Sequence, residues 1–132
     1  MSHLACVSLL VPDYDAAIAH YCGELGFDLV EDTDMGGGRD GEPKRWVLVA
    51  PPGSRETRLL LAQAKGAAQM ARIGDQAGGR VFLILHTDDF DRDHARFAPH
   101  VTFTEPPRDE AYGKVCVFRD RFGNLWDLLQ PK

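Results

Sequence analysis

Residues 118–131, FRDRFGNLWDLLQP, contain the first candidate for chemistry, the carboxylate of Asp127 between Trp126 and Leu128. The segment is typical of a strand, a tight glycine-asparagine turn and a second strand. A carboxylate inside an apolar strand has two interpretations, because its side chain either faces water or points into a cavity. Among apolar walls it needs a partner or a raised pKa, since desolvation disfavours its charged form.

Three other side chains are candidates for ligand binding or catalysis. His86 ends a predicted strand and is either a ligand-binding or acid–base group or a surface histidine. Arg58 either holds an anionic ligand or pairs with a carboxylate such as Asp127. Cys6 is a nucleophile only if a base or a helix N-terminus lowers its pKa. No such group is adjacent to Cys6 in the sequence. This favours the alternative interpretation, in which Cys6 serves as a small, buried, apolar residue.

Hydrophobic periodicity predicts the elements that position these residues. A first helix, capped by Asp13 and ended by Gly26, should have His20 on its solvated side. A second helix, capped by Asp88 or Asp89, has an apolar stripe that ends at Phe97. The predicted strands are 4–11, 27–32, 45–50 and 58–63, then 80–87, 100–105, 114–120 and 124–130. Residues 35–43 and 105–113 are predicted loops.

The two halves repeat the same order of elements. A shift of 76 positions places Asp13-Tyr14-Asp15 over Asp89-Phe90-Asp91. The chain therefore reads as one domain of two βαβββ modules, at about 1–64 and 80–132, joined by a connector at about 65–79. Helices on one face of each sheet leave the other face free to line a cleft, where small molecules usually bind.

Composition narrows the classes of partner. The net charge is −5, which argues against a nucleic-acid partner, because binding a phosphate backbone requires a basic face. No apolar run approaches the roughly 20 residues that span a bilayer, and the N-terminus lacks the basic start of a secretory signal. The chain has 3 cysteines without zinc-site spacing, which favours reduced thiols in the cytoplasm.

The sequence resembles the vicinal oxygen chelate superfamily, which includes glyoxalases, bleomycin-resistance proteins and extradiol dioxygenases. Residues 7–27, 86–97 and 118–131 carry this resemblance. It implies an α+β fold in which two βαβββ modules with curved mixed sheets enclose a cleft, and it implies a homodimer. It also implies that the loop containing Tyr112 closes over a ligand.

Metal-dependent members of this superfamily hold a divalent ion with four side chains, typically His, Gln or Glu. The resemblance places Cys6, Leu60, Phe82 and Asp127 at these positions, with Arg58 or Gln63 as alternatives to Leu60. Leucine and phenylalanine cannot bind a metal, so we expect neither a metal nor another cofactor. The predicted ligand-binding set is Cys6, Arg58, Leu60, Phe82, His86, Tyr112 and Asp127.

The resemblance implies binding of a small, partly apolar molecule in a degenerate, metal-free cleft. The alternative is a glyoxalase-like lyase or isomerase, either metal-dependent or with Asp127 as base and His86 or Tyr112 polarising a carbonyl. An extradiol dioxygenase is less favoured, because iron chemistry on oxygen requires the missing ligands. A third alternative is an interaction module.

Overall fold

A computed structural model describes all residues 1–132. It has the expected α+β fold, with one 4-stranded sheet and one 5-stranded sheet. None of its helices has the length and apolar character needed to cross a membrane. The helices are α1 (Tyr14–Ile18), α2 (Gly66–Met70) and α3 (Phe90–Phe97), and the strands are β1 (Cys6–Val11), β2 (Asp28–Gly37), β3 (Pro43–Ala50), β4 (Arg58–Gln63), β5 (Leu83–His86), β6 (Thr102–Phe103), β7 (Arg108–Glu110), β8 (Gly113–Arg119) and β9 (Leu125–Pro131).

Contacts divide the chain into a first unit, Met1–Met70, and a second unit, Ala71–Lys132, with the boundary inside the predicted connector. Sheet one has the order β1-β4-β3-β2, and β1 runs parallel to β4. Sheet two has the order β5-β9-β8-β6, and β5 runs parallel to β9. Each unit is therefore a mixed sheet in which the first strand pairs with the last.

In the first unit, polar contacts at the start of α1 attach this helix to the sheet. The carboxylate of Asp13 accepts a hydrogen bond from the Ala16 amide at 2.8 Å. The Oε1 atom of Gln63 accepts one from the Tyr14 amide at 3.1 Å. Arg45 stacks on the Tyr14 ring at 5.2 Å and forms an ion pair with Asp15. These contacts satisfy amides that have no partner within the helix and join α1 to β3 and β4.

The second unit contains the same arrangement at corresponding positions. Asp89 caps α3, and the Oε1 atom of Gln130 accepts a hydrogen bond from the Phe90 amide at 2.7 Å. Lys114 lies 4.9 Å from the centre of the Phe90 ring and pairs with Asp91 at 3.0 Å. The predicted repeat in the order of elements is thus present in both units, and Asp89 rather than Asp88 is the cap.

Three local expectations were wrong. The first helix continues beyond α1 as a π-helical turn at Ala19–Glu24, and His20 is fully buried rather than solvated. The wider turn changes which residues face the sheet, and the His20 Nδ1 atom lies 2.8 Å from a Glu24 oxygen. Strand β2 extends to Gly37, into the predicted loop at 35–43. The predicted loop at 105–113 contains β7, because it folds back as a hairpin onto β8.

Candidate functional site

Each sheet has an open face, which we define as the face turned away from the helix of its unit. In sheet one, the helix-side residues Leu59 and Leu61 are buried, at 8% and 1% exposure. The alternate residues Arg58 and Leu60 are half-buried on the open face. Cys6 lies directly opposite Arg58 in the register of β1 and β4. Three predicted site residues therefore share one face of the first unit.

Gln63 lies on the helix side of β4, where its side chain holds the Tyr14 amide. It is therefore not an alternative to Leu60 on the open face. Arg58 remains a candidate, and its Nε atom is buried without a hydrogen-bond partner. An unsatisfied buried donor costs about 1–3 kcal/mol, so a ligand or a second protein surface that supplied an acceptor would be favoured there.

A pocket of about 330 Å³ opens at the end of sheet one where β3 begins and β4 ends. Its lining comes from both faces of the sheet: Trp46, Leu60 and Ala62 belong to the open face, whereas Tyr14, Leu61 and Gln63 lie on the helix side. Charged side chains form the border of the pocket. They come from the turn between β2 and β3 and from the start of α2. Of the predicted ligand-binding set, Leu60 alone lines this pocket, and Gln63, which the resemblance offered as an alternative to Leu60, lines it as well.

Sequence reasoning missed the pocket residues Trp46, Lys44 and Arg39. The alternation in RWVLVA contained a usable signal, because Trp46 shares strand parity with Leu48, which lies opposite Leu60. Arg39 lies in the turn of the β2–β3 hairpin, and its approach to the pocket depends on the path of that hairpin.

In sheet two, Asp127 is half-buried on the open face, while its neighbours Trp126 and Leu128 are 3% and 0% exposed on the helix side. This is the alternation expected from the sequence. Ile84 on β5 and Val117 on β8 lie opposite Asp127 in register. The carboxylate thus lies between apolar neighbours on its own sheet.

The Asp127 carboxylate makes no hydrogen bond or ion pair within the chain, so the ion pair considered for it is absent. Burial raises its pKa above the ordinary carboxyl range, nearby Arg108 lowers it, and Glu105 raises it further. Arg108 does not reach Asp127 because its guanidinium is engaged by Glu105 and, at 2.8 Å, by Glu110. Asp127 can therefore act as a proton acceptor or bind a cationic or hydroxyl group.

The remaining candidates of the second unit lie apart from one another. Phe82 lines a cavity of about 250 Å³ with Leu125, Arg80 and Arg119. His86 is exposed at the end of β5, opposite Leu129. Tyr112 is 55% exposed in the two-residue turn between β7 and β8, and its side chain contacts Arg108. None of them is linked to Asp127 by a hydrogen bond.

The glycine-asparagine turn before Asp127 is held by a different carboxylate, that of Asp120, which is 5% exposed. Its carboxylate accepts hydrogen bonds from the Phe122 amide at 2.9 Å and from the Asn124 amide at 3.0 Å. It also accepts one from the Trp126 indole at 2.9 Å. Asp120 therefore fixes the hairpin that presents Asp127.

All 3 cysteines are free thiols. Burial raises the pKa of Cys116 to about 11, and Glu105 adds to the effect. The Cys116 thiol donates a hydrogen bond to the Glu105 carbonyl at 3.1 Å. A buried, protonated thiol of this kind is not a nucleophile. Cys6 is half-buried on the open face, and its role as a ligand-binding residue stays a prediction.

The four positions that the resemblance assigns to metal ligands do not fit a divalent metal. Of the four, Cys6 and Asp127 have donor atoms, whereas Leu60 and Phe82 have none. Divalent zinc takes three protein ligands even at catalytic sites, and harder cations take more oxygen ligands. No group of three or more His, Cys, Asp or Glu side chains is arranged to hold a metal ion.

Among known proteins, the chain is 52% identical over 125 residues to an uncharacterised protein of Shewanella frigidimarina, covering 94% of this chain and 90% of that protein. TnmS3, described as an antibiotic binding protein from Streptomyces sp. CB03234, is 32% identical, with a TM-score of 0.74 over 100% of this chain and 98% of TnmS3. The crystal structure of UcmS2 has a TM-score of 0.78 at 27% identity over 98% of each chain.

The comparison with protein families agrees with the repeated units and with these similarities, and it covers almost the whole sequence. Residues 1–128 match the family described as the glyoxalase/bleomycin resistance protein/dioxygenase superfamily, and the chain belongs to that superfamily.

Proposed function

We propose that this protein binds a small, partly apolar organic molecule and releases it unchanged, as a cytoplasmic homodimer. The observation that carries this proposal is the pocket of about 330 Å³ with Trp46, Leu60 and Ala62 in its apolar part. The similarity to TnmS3, an antibiotic binding protein, supports the same class of function.

The pocket is suited to an apolar ligand of modest size. Burying apolar surface contributes about 25 cal/mol per Å², from which the cost of association must be subtracted. Trp46 is the largest contributor, since an aromatic side chain offers a wide, rigid contact surface at low entropic cost. Leu60 adds further apolar surface.

We further propose that binding requires no metal or other cofactor. Two of the four positions that the resemblance assigns to metal ligands have hydrocarbon side chains, so the donors cannot complete a coordination shell. Purified protein analysed by inductively coupled plasma mass spectrometry should contain well under one equivalent of any divalent metal after dialysis. A stoichiometric metal that survives dialysis would overturn this part of the proposal.

Binding can be tested with the chain's own fluorescence, because it has 2 tryptophans and Trp126 is buried beside Phe118. We expect compounds from a panel of neutral polycyclic aromatics and antibiotics to quench the wild-type emission with saturation. The Trp46→Phe variant, which keeps Trp126, should lose this quenching. Calorimetry on the unmodified protein provides an independent affinity, and mass spectrometry should recover each bound compound intact.

Absence of saturable binding across the panel would contradict the proposal. Binding that quenches wild type and Trp46→Phe equally would place the ligand elsewhere in the molecule.

The second candidate function is a lyase or isomerase of glyoxalase type. The specific observation in its favour is Asp127, whose pKa is raised and whose carboxylate has no partner in the chain. A carboxylate of raised pKa is a better general base near neutral pH. Turnover of the methylglyoxal–glutathione adduct by metal-free protein, lost in Asp127→Asn, would establish this function instead of binding alone.

A further inference from the structure

The pocket at the end of sheet one has an excess of positive charge. Four cationic side chains line it, together with a single carboxylate, that of Asp40. The whole chain has a net charge of −5, so the pocket reverses the sign of the molecule locally. A concave region of one sign concentrates ligands of the opposite sign. The four cations are Arg39, Lys44, Arg45 and Lys65.

Two of these cations already have carboxylate partners. Arg45 donates to both oxygens of Asp32, at 2.7 and 3.1 Å, and to Asp15 at 2.8 Å. These bonds hold the pKa of Arg45 above its usual range and fix its guanidinium against the helix side of the sheet. Arg45 is therefore part of the scaffold rather than a free charge.

Lys65 is paired more loosely. Its Nζ atom lies 3.0 Å from each oxygen of Asp40, and hydrogen bonding to Lys65 lowers the pKa of that carboxyl group. Both side chains are solvent-accessible, and such exposed pairs contribute little to stability. An anionic ligand can compete with Asp40 for this ammonium group at little cost.

Arg39 and Lys44 form no ion pair or side-chain hydrogen bond within the chain. Both side chains line the pocket, and Lys44 shares the strand parity of Trp46 on the open face of β3. The pocket thus combines an indole, the apolar surface of Leu60 and two unpaired cations. A neutral acceptor can take hydrogen bonds from those two groups, but only an anionic ligand also compensates their charge.

We propose that this pocket binds a planar aromatic ligand that has a carboxylate or another anionic substituent. The ring packs against Trp46 and Leu60, and the anionic group lies between Lys44 and Arg39, with Lys65 as a third donor. Charge-assisted hydrogen bonds of this kind are roughly twice as strong as neutral ones. The inference rests on the proposed function and adds the ligand's charge to it.

The test uses three probes that share one ring system: 2-naphthoate, neutral 2-naphthamide and cationic 2-naphthylmethylammonium. Calorimetry and tryptophan quenching on the full chain should show 2-naphthoate binding at least about tenfold more tightly than 2-naphthamide, with the ammonium compound weakest. Raising the salt concentration from about 0.05 to about 0.5 M should reduce this preference, because exposed charges are screened.

Three variants locate the effect. Lys44→Gln and Arg39→Gln should each weaken 2-naphthoate about fivefold with a much smaller effect on 2-naphthamide, and the double variant should keep only the small preference that Lys65 provides. Arg55→Gln is the matched control, because Arg55 is exposed on the same unit and does not line this pocket. It should leave both affinities unchanged.

The outcomes separate this inference from the proposed function. If 2-naphthamide and 2-naphthoate bind equally to wild type, or if Lys44→Gln and Arg39→Gln have no effect, the anionic preference is wrong although binding stands. If no aromatic probe or panel compound binds, the proposed function fails and this inference fails with it.

Discussion

Two aspartates in one hairpin, Asp120 and Asp127, show how completely the surroundings of a side chain decide its role. Asp120 is buried and receives donors from the turn backbone and from Trp126, so it is structural. Asp127 is half-buried without a partner, so its charge is poorly compensated. The same functional group stabilises the fold at one position and is available for chemistry at the other.

Replacing Asp120 with alanine should lower the free energy of unfolding by about 3 kcal/mol, because several buried donors lose their acceptor at once. Asp120→Asn should cost less, since one oxygen acceptor remains. Urea denaturation at neutral pH measures both values. The exposed Asp109→Ala is the control, and an Asp120→Ala variant as stable as that control would refute the anchoring role.

Asp127 should make stability depend on pH. Its pKa is higher in the folded chain than in the unfolded chain, so the folded state binds the proton more tightly. This contribution is present at low pH and is lost as pH rises from the ordinary carboxyl range through the raised pKa. Asp127→Asn should remove that loss and raise the free energy of unfolding at pH 7.

Urea titrations of wild type and Asp127→Asn between pH 4 and 8 should give curves whose separation grows as pH rises. The exposed Asp109→Asn serves as the matched control, with a separation from wild type that stays constant. If the curves for Asp127→Asn and wild type run parallel, the Asp127 carboxyl group of the wild type has the same pKa in the folded and unfolded states.

At the scale of elements, the repeated helix clamp is the main device of the fold. In each unit a glutamine at the end of the last strand holds the first helical amide, and a cation from the neighbouring strand stacks on the first helical ring. Both contacts attach the helix to one face of its sheet. Because the helix covers that face, the opposite one is left open for binding.

Gln130 allows a direct test of the clamp. Gln130→Leu removes the acceptor for the Phe90 amide and should lower the free energy of unfolding by about 1–2 kcal/mol. Gln130→Glu keeps an acceptor oxygen beside a helix N-terminus and should retain most of the stability. Thermal and urea denaturation distinguish the two. Equal losses would indicate that side-chain packing, rather than the hydrogen bond, explains the effect.

At the scale of the whole molecule, exposed apolar side chains predict self-association. Strand β2 is an edge strand with no buried residue, and Leu29, Val30 and Met35 on it are 45%, 40% and 51% exposed. Long exposed edges are usually covered by a partner, since their unpaired backbone groups invite further strand pairing. Ile84 on β5, also at an edge, is 62% exposed.

We therefore expect analytical ultracentrifugation at micromolar concentration to give about twice the chain mass of 14.6 kDa. Dilution should reverse the association if it is weak. A single species at the chain mass over the whole concentration range would contradict the homodimer. The same experiment with saturating ligand tests whether binding and assembly are coupled.

The sequence by itself determined the repeated βαβββ order, the helix caps and the alternation around Asp127, since these depend on local propensity and strand periodicity. It also determined which residue types could bind a metal, because a leucine offers no donor atom in any fold. Local pattern was insufficient where the backbone departed from its common period, as in the π-helical turn that buries His20.

Tertiary structure alone decided which side chains meet. It placed Arg39 of a hairpin turn beside Trp46 of β3 and Leu60 of β4, and it engaged Arg108 with two glutamates so that Asp127 was left without an ion pair. Pockets and charge environments arise from residues that are distant in sequence, and their contacts depend on sheet register and packing. A linear pattern does not encode those distances, which is why the charge of the pocket became visible only in the folded chain.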